Sequence, residues 1–510
     1  MARRLQLQWV VFAGGAVLMA LEILSSRILA PHFGSSVYVW GSVISVFLAA
    51  LALGYWWGGR RADRDPSLGG LGQVVVAAAA AQAVLLVGGA RITDAVGRWS
   101  GGGPGGTLLA AAVLFAVPSV LLATISPYAV RLAARDLDRI GHTAGRLYAL
   151  STAGSLAGTL GCTFVLIPRF AIGSALALVL AACAATALVA LAGDVRRHRG
   201  ATALAALLLL LAVIARPLPA GSGEGLVEER VTPYQTLRVV DRGGVRWLES
   251  DGVVHGAVTL SGDGGAAGEL AMSYPRVLPA AWLLAPAIER VLILGMGGGN
   301  VAAYLRASWP RLAVDFVDVD PAVPEMARRH MGFRDGEGVA VHVADARRFL
   351  EETAERWDLV VVDTYIGLSV PFHLTTREFL DLARSRLSGG GVLAVNLATG
   401  LDQPFPRAIY RTLAGAFPTV HTFQAPRSGN LLLFATEEAS PGAAVLARRA
   451  ESLDRHTRFD PSLTELLELR AEPPRDLSGV PVLTDAYAPV ERLIHLADDP
   501  PRPGRRGSTP

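Results

Sequence analysis

The sequence is poor in cysteine, in charged residues and in aromatic residues. Of its 510 residues, two are cysteine, 18% are charged and 7% are aromatic. Cys162 and Cys183 both lie in apolar stretches, with no cysteine or histidine at ligand spacing, so we expect neither a disulfide framework nor a metal site. The net charge of +3 lacks the strong positive excess typical of nucleic-acid-binding proteins. We therefore expect no nucleic-acid partner.

Hydrophobic residues are abundant instead, and they are unevenly distributed. They make up 51% of the chain, and the mean hydropathy is +0.39. Long apolar blocks fill residues 5–220, whereas charged residues occur at ordinary density from Gly221 onward. The stretch RPLPAGSGEG at 216–225 is typical of a linker. We predict a membrane domain at 1–218, a small β subdomain at 226–275, a ligand-binding domain at 276–498 and a disordered tail at 499–510.

The first half contains blocks long enough to cross a bilayer, which takes about 20 apolar residues in a helix. We place the blocks at 8–30, 38–58, 72–90, 107–125, 147–167, 170–192 and 201–215. The first follows a basic start, MARR, but it is too long for a signal peptide and lacks a cleavage site. The last block is at the lower length limit, which leaves six or seven crossings open. We predict six, with 201–215 in the interface or re-entering.

Loop arginines predict how the membrane domain is oriented. Twelve arginines from Arg3 to Arg199 fall in segments on the N-terminal side, against Arg91, Arg98 and Arg169 on the other. Because positive charge accumulates in cytoplasmic loops, we expect a cytoplasmic N-terminus in a multi-pass protein of the cell membrane. Six crossings then place the second half in the cytoplasm as well.

Two features within the predicted spans stand out. Glu22 and Arg27 are charged residues in the first span, where charge is expensive and indicates a functional site, a structural ion pair or an arginine reaching the interface. Gly154 and Gly158 are one turn apart and are followed by Gly161, a small-residue spacing typical of closely packed helices.

The second half changes to shorter elements. The segments QTLRVVD, VRWLESDG and GAVTL predict a small antiparallel subdomain. After PRVLPAAWLLA, which we interpret as a helix, strands and helices alternate from RVLILG to NLLLFATE. This alternation predicts an α/β doubly wound, mostly parallel sheet of the Rossmann-like methyltransferase type, with ligands at the carboxyl ends of its strands.

The segment RVLILGMGGGN at 290–300 is an apolar strand that runs into a glycine loop. Glycines allow a tight turn and a close approach of ligand to backbone, with the next helix N-terminus facing the ligand. A dinucleotide fingerprint would be G-x-G-x-x-G. Here Gly295, Gly297 and Gly299 form G-x-G-x-G before Asn300, the form usual in folds that bind an S-adenosyl group.

Aspartates follow three successive strands behind this loop. Asp318 ends the second strand, where it can accept hydrogen bonds from two ribose hydroxyls. Asp345 follows the third strand and suits an adenine amino group, and Asp363 follows the fourth and would face the reacting centre. Together with the glycine loop they predict a nucleoside site.

These motifs resemble the spermidine synthase (polyamine aminopropyltransferase) family, in its form fused to a multi-span membrane domain. The resemblance rests in the first half on the segments around LEILSSRILAPHFG and GRLYALSTAGSLAGTLG. In the second half it rests on PYQTLRV, LILGMGGGN, DVDPAV, ADARRFL, VVVDTYIGLSVPFHLTTREF and VLTDAYAPVERL.

The resemblance implies transfer of an aminopropyl group from decarboxylated S-adenosylmethionine to an amine such as putrescine, without a metal. It also implies dimerisation through the synthase domain. Carried over by motif, the donor contacts are Gln235 at the sulfonium, the loop Gly295, Gly297, Gly299 and Asn300, Asp318 at the ribose, and Asp345 and Ala346 at the adenine. Asp363 is the implied proton acceptor, and Tyr234 and Tyr487 are implied to contact the amine.

The sequence departs from the family pattern around the amine. Asn300 stands where the family has an aspartate, Ile366 replaces a second aspartate, and Asp485 is followed by Ala486 rather than by another acid. Two alternatives therefore stay open: an S-adenosylmethionine-dependent transferase with a non-polyamine acceptor, and a transporter or sensor with a nucleoside-binding domain.

Overall fold

A computed structural model of the chain describes residues 2–33, 37–100, 104–134, 140–214, 225–261, 266–285, 287–365, 370–474 and 476–495. The chain divides into two units, 1–222 and 223–510. Most of the predicted linker and the whole predicted tail lie outside the described residues.

The first unit is helical. Its helices are α1 Ala2–Phe33, α2 Val37–Arg64, α3 Leu68–Ser100, α4 Pro104–Ala123, α5 Ile125–Ala133, α6 Ile140–Gly161, α7 Ile167–Arg169, α8 Ile172–Leu191 and α9 Arg199–Ile214. A π-helical turn, Cys162–Leu166, joins α6 to α7. Among the described residues, six helical segments are long and apolar enough to cross a membrane, with α4–α5 and α6–α7 counted as one each. The short helix α9 is not among them.

Glycines bring helices of this unit into backbone contact. A Cβ on Gly154 would lie 2.0 Å from the carbonyl oxygen of Phe12, and one on Gly158 would lie 2.1 Å from that of Ala16. These contacts join α6 to α1, and they confirm the close packing predicted for the two glycines. Gly161 has no atom within 4 Å of such a Cβ and takes no part in this contact.

The predicted charged pair lies on α1. Glu22 and Arg27 are both half-buried. The Ser25 hydroxyl donates to the Glu22 carbonyl oxygen at 2.6 Å, a bond within the helix. A functional role for the two charges stays a prediction.

The second unit begins with a five-stranded antiparallel sheet in the order β1-β2-β3-β4-β5. The strands are β1 Leu226–Val231, β2 Thr236–Arg242, β3 Val245–Ser250, β4 Val253–Leu260 and β5 Ala266–Leu270. The three predicted strands, β2 to β4, are confirmed, and the outer strands are additional. The buried side chains of this sheet include Leu237, Val239 and Leu248.

The second sheet has eight strands in the order β13-β11-β12-β10-β9-β6-β7-β8. They are β6 Arg290–Leu294, β7 Ala313–Asp318, β8 Val339–Val343, β9 Trp357–Val362, β10 Leu387–Leu397, β11 Thr419–Gln424, β12 Leu431–Thr436 and β13 Arg470–Ala471. Strands β6 to β10 are parallel, whereas β11 to β13 pair antiparallel at one edge. The chain leaves β6 towards β7 and later returns to β9 on its other side. That reversal is where such sheets bind ligands.

Helices cover both faces of the second sheet. They are α10 Ala281–Leu284, α11 Asn300–Ser308, α12 Ala322–His330, α13 Ala346–Glu352, α14 Arg377–Ser385, α15 Pro404–Ala416, α16 Ala443–Asp454, α17 Leu463–Glu468 and α18 Val490–His495. The helix predicted at PRVLPAAWLLA is confirmed, in two forms: a 3-10 helix spans Tyr274–Ala280, and α10 follows it directly. Pro279 lacks the N–H donor that an α-helix needs at that position, whereas Pro275 lies in the first turn, where a helix tolerates proline.

Candidate active site

Two adjoining cavities open where the second sheet reverses. Cavity A, of about 340 Å³, is lined by the strand-end residues Asp318, Asp345 and Asp363. Cavity B, of about 210 Å³, lies between β4, the 3-10 helix and the glycine loop. Both cavities are lined by Gly295, Met296, Gly297, His255, Asp363 and Tyr365. The glycine loop and Asp363 therefore stand at the junction of the two cavities.

The glycine loop is confined on two sides. Gly295 has a φ of +93°, and a Cβ there would lie 2.1 Å from the backbone oxygen of Asp363. Gly297 has a φ of +53°, and its Cβ would lie 2.4 Å from the backbone oxygen of His255 on β4. Any other residue at these positions would push away either Asp363 or the strand that closes both cavities. The glycines thus set the shape of the junction.

Asp318 is positioned by backbone donors. Its carboxylate accepts hydrogen bonds from the N–H groups of Met296 and Asp320, both at 3.0 Å. Burial raises the pKa of Asp318 to about 6, although these two hydrogen bonds oppose the shift. An ionised carboxylate that backbone donors hold in place suits accepting hydrogen bonds from ribose hydroxyls.

Both polar atoms of the Gln235 side chain form hydrogen bonds within the protein. Its side-chain Nε2 donates to the buried carboxylate of Asp320 at 3.1 Å, and its Oε1 accepts from the Ser250 hydroxyl. Gln235 still lines cavity A, beside Tyr234, which is 42% exposed. The predicted contacts of Gln235 with a sulfonium and of Tyr234 with an amine stay predictions.

Asp345 caps α13 and pairs with a histidine that the sequence did not indicate. Its Oδ1 accepts from the N–H groups of Arg347 and Arg348 at 3.0 Å, and its Oδ2 lies 3.0 Å from Nε2 of His373. Burial opposes ionisation, but hydrogen bonds from Arg348 and His373 outweigh it and lower the pKa of Asp345. Ala346 is buried beside it at the wall of cavity A.

Asp363 receives two hydrogen bonds from residues of cavity B. The Tyr274 hydroxyl donates to Oδ2, and Nδ2 of Asn396 donates to Oδ1, both at 2.7 Å. Asn396 in turn accepts from Nδ2 of Asn430 at 3.1 Å. Burial raises the pKa of Asp363, and the bonds from Asn396 and Tyr274 partly oppose the rise. A basic carboxylate with fixed orientation can accept a proton from a bound nucleophile.

The side chain of Asn300 explains why an amide rather than an acid stands at the start of α11. Asn300 is 5% exposed, and its Nδ2 donates to the backbone oxygen of Met331 at 2.7 Å. An aspartate would lack that donor and would bring a negative charge against the Met331 carbonyl. Within the described residues, the buried Oδ1 of Asn300 has no hydrogen-bond partner. Asn300 lines cavity B.

The segment around Asp485 lies outside the lining of both cavities. Arg347 holds Asp485 through two hydrogen bonds of 2.8 and 2.6 Å, and the Thr376 hydroxyl donates to the same carboxylate at 2.7 Å. Tyr487, in the same turn, is 55% exposed. Among the described residues, neither Asp485, Ala486 nor Tyr487 is part of the lining of either cavity. Ile366 lies outside the described residues.

Comparison with known proteins finds similarity over the segment that forms most of this site. Residues 278–426 match the family model described as "Spermine/spermidine synthase domain". A polyamine aminopropyltransferase of Vibrio vulnificus (strain CMCP6) is 34% identical over 185 residues, which cover 35% of this chain and 61% of the relative. A probable polyamine aminopropyl transferase of Bifidobacterium longum (strain NCC 2705) is 30% identical over 235 residues, 43% of this chain and 52% of the relative.

A third relative carries a different name. The eEF1A lysine and N-terminal methyltransferase of Bos taurus is 25% identical over 177 residues, 32% of this chain and 25% of the relative. The chain spans 61% and 52% of the length of the two aminopropyltransferases. The match nevertheless includes the glycine loop, the three strand-end aspartates and Asn396. Residues 278–426 of the C-terminal unit are therefore similar to a spermine/spermidine synthase domain.

Proposed function

We propose that the protein transfers an aminopropyl group from decarboxylated S-adenosylmethionine to an amine. The observation that carries the proposal is the position of Asp363 at the junction of cavities A and B. A donor in cavity A and an acceptor in cavity B would meet at this carboxylate. Asp363 is thus assigned as the proton acceptor.

The lining of cavity A supports a nucleoside donor without a carboxylate. Asp318 faces the cavity for the ribose, and the small side chain of Ala346 leaves room for a flat base. Among the described residues that line cavities A and B, none is an arginine or a lysine. The carboxylate of S-adenosylmethionine would therefore find no arginine or lysine, whereas the decarboxylated donor has no carboxylate to pair.

The reaction follows from this arrangement. The neutral amine nitrogen attacks the aminopropyl carbon bonded to the sulfonium sulfur, a new C–N bond forms and the C–S bond breaks. The electron pair of that bond stays on sulfur, and methylthioadenosine leaves as a neutral thioether. The new ammonium loses its proton to Asp363. Holding both reactants at the junction supplies the orientation that displacement requires.

The Asp363→Asn variant tests the assignment. It keeps the size of the side chain and removes the proton acceptor, so we expect release of methylthioadenosine to fall at least about 100-fold. Asp402→Asn is the matched control, because Asp402 is exposed and lines neither cavity. Unchanged turnover in Asp363→Asn would contradict the catalytic assignment.

Methyl transfer is the second candidate. It is favoured by the lining of cavity B, in which Asp363 is the only acidic residue among those described. A relative named as a methyltransferase also supports it. Parallel incubations with S-adenosylmethionine and with decarboxylated S-adenosylmethionine, each labelled on the methyl group, distinguish the two reactions. Methyl transfer moves the label from S-adenosylmethionine to the acceptor, whereas aminopropyl transfer from the decarboxylated donor leaves it on methylthioadenosine.

We also propose that the first unit spans the cell membrane six times. The six long apolar segments support this assignment, and the arginine distribution supports a cytoplasmic synthase domain. A cytoplasmic position would give the enzyme access to the metabolite that we assign as its donor.

A further inference from the structure

We propose that the acceptor in cavity B is a primary amine with a single positive charge and a neutral distal end, rather than a diamine. This inference rests on the proposed function, because it identifies the substrate class of the same site. It follows from the charges and hydrogen-bonding groups that line the cavity.

Cavity B contains one carboxylate among its described lining residues, that of Asp363. Its other polar side chains are the neutral groups of Tyr274, Tyr365, Asn300, Asn396 and Asn430, with His255 at the wall shared with cavity A. The remaining lining is apolar and includes Leu270, Met272 and Leu278. The cavity is therefore close to neutral apart from one charge.

One carboxylate cannot serve both ends of a diamine. Asp363 accepts the proton of the attacking nitrogen, so it must face that nitrogen during the reaction. The distal ammonium of a diamine would then lie among amides and aliphatic side chains. Burial of an ammonium without an anionic partner is strongly unfavourable. A neutral distal end avoids this cost.

The cavity also offers a hydrogen bond to a neutral distal group. The buried Oδ1 of Asn300 has no partner among the described residues, while its Nδ2 is fixed by the Met331 carbonyl oxygen. A hydroxyl or an amide N–H of the acceptor could donate to this oxygen. Such a bond would satisfy a polar atom that is otherwise buried at a cost.

Three amines with the same four-carbon chain test the inference: butylamine, 4-aminobutan-1-ol and putrescine. Their distal groups are a methyl, a hydroxyl and an ammonium. Binding is measured by calorimetry on the full-length protein in detergent, saturated with methylthioadenosine to fill cavity A. We expect butylamine and 4-aminobutan-1-ol to bind at least about tenfold more tightly than putrescine. Tighter binding of putrescine, or binding of none of the three, would overturn the inference.

A change of charge at the cavity wall provides the complementary test. Met272 is half-buried, lines cavity B and lies outside the hydrogen bonds to Asp363. Met272→Glu adds a carboxylate, and Met272→Gln is its neutral control of the same shape. We expect Met272→Glu to strengthen putrescine binding at least about tenfold relative to Met272→Gln, with little change for butylamine. Equal putrescine affinity in the two variants would contradict the inference.

Turnover separates this inference from the proposed function. Methylthioadenosine release is measured with decarboxylated S-adenosylmethionine and each of the three amines. Preferred binding of the monoamines without any release would refute aminopropyl transfer while supporting the acceptor class. Release that is fastest with putrescine would support the transfer reaction and overturn the acceptor class.

Discussion

The three strand-end aspartates of the site accept hydrogen bonds from different groups of the protein. Both oxygens of Asp345 are engaged, one by the backbone of α13 and the other by His373. Asp318 accepts two backbone hydrogen bonds but keeps a raised pKa, and Asp363 is held by two side chains of cavity B. All three carboxylates therefore have both oxygens hydrogen-bonded within the protein, and the roles assigned to them in donor binding and proton transfer stay proposals.

Tyr274→Phe should change how Asp363 titrates. The variant keeps the ring and removes the O–H that donates to Asp363. Because this hydrogen bond lowers the pKa of Asp363, its loss raises that pKa further. We expect the acidic limb of the kcat/KM profile to move to higher pH and the rate at neutral pH to fall about tenfold. Tyr410→Phe, outside both cavities, is the control. An unchanged pH profile would show that Tyr274 does not act through Asp363.

Binding of methylthioadenosine should weaken on the acid side. The folded-state pKa of Asp318 is about 6, above its ordinary value, so the unliganded folded protein takes up a proton as pH falls through about 6. If the ionised carboxylate accepts the ribose hydroxyls, affinity should fall up to about tenfold per pH unit below that value. By the same linkage, the contribution of Asp318 to stability decreases as pH rises from about 4 to about 6.

Calorimetry between pH 5 and pH 8 measures this dependence, and Asp318→Asn serves as the reference. The asparagine does not titrate, so its affinity should be flat across the range. A wild-type affinity that is equally flat would argue against Asp318 as the ribose ligand.

The sequence predicted the carboxylates but not their partners. Each of the three aspartates, Asp318, Asp345 and Asp363, follows an apolar strand. This pattern can be recognised from the sequence alone. Tyr274 and Asn396 reach Asp363 from segments 89 and 33 residues away in the chain. A contact of that separation depends on how the 3-10 helix and β10 pack in three dimensions. No local pattern carries that information.

At the scale of elements, apolar strands and long apolar helices were predicted well. The segment PRVLPAAWLLA was predicted as a helix, but the sequence did not indicate that its first part is 3-10 rather than α-helical; Pro279 lacks the N–H donor that an α-helix needs there. The outer strands β1 and β5 were also missed. Their segments, LVEERV and AAGEL, carry charge or small residues and acquire strand structure by pairing with β2 and β4.

The contact between α1 and α6 gives a prediction at this scale. Gly154→Ala places a methyl group against the Phe12 carbonyl and forces the helices apart, which should cost about 1–3 kcal/mol. Gly145→Ala, on the same helix, meets nothing within 4 Å and gains the same helix propensity. Thermal unfolding in detergent should therefore show a lower Tm for the first variant alone. Equal Tm values would mean that the backbone contact does not stabilise the helical unit.

For the whole molecule, the predicted number of crossings determines on which side of a membrane the second unit would lie. Helix α9 has 16 residues, so it spans about 24 Å, less than the roughly 30 Å of a hydrocarbon core. We predict six crossings and a cytoplasmic second unit. A fluorescent reporter that requires a reducing compartment, fused after residue 221, should be active. A second reporter, which is active only outside the cytoplasm, is fused at the same position. Activity of this reporter would contradict the topology.

The central claim concerns the donor in cavity A. The most direct test is calorimetry of the detergent-purified protein with decarboxylated S-adenosylmethionine, S-adenosylmethionine and methylthioadenosine in parallel. Because the described lining offers no arginine or lysine for a carboxylate, the decarboxylated donor should bind at least about tenfold more tightly than S-adenosylmethionine. Tighter binding of S-adenosylmethionine would contradict aminopropyl transfer and favour methyl transfer. Binding of none of the three would contradict a nucleoside site at the glycine loop.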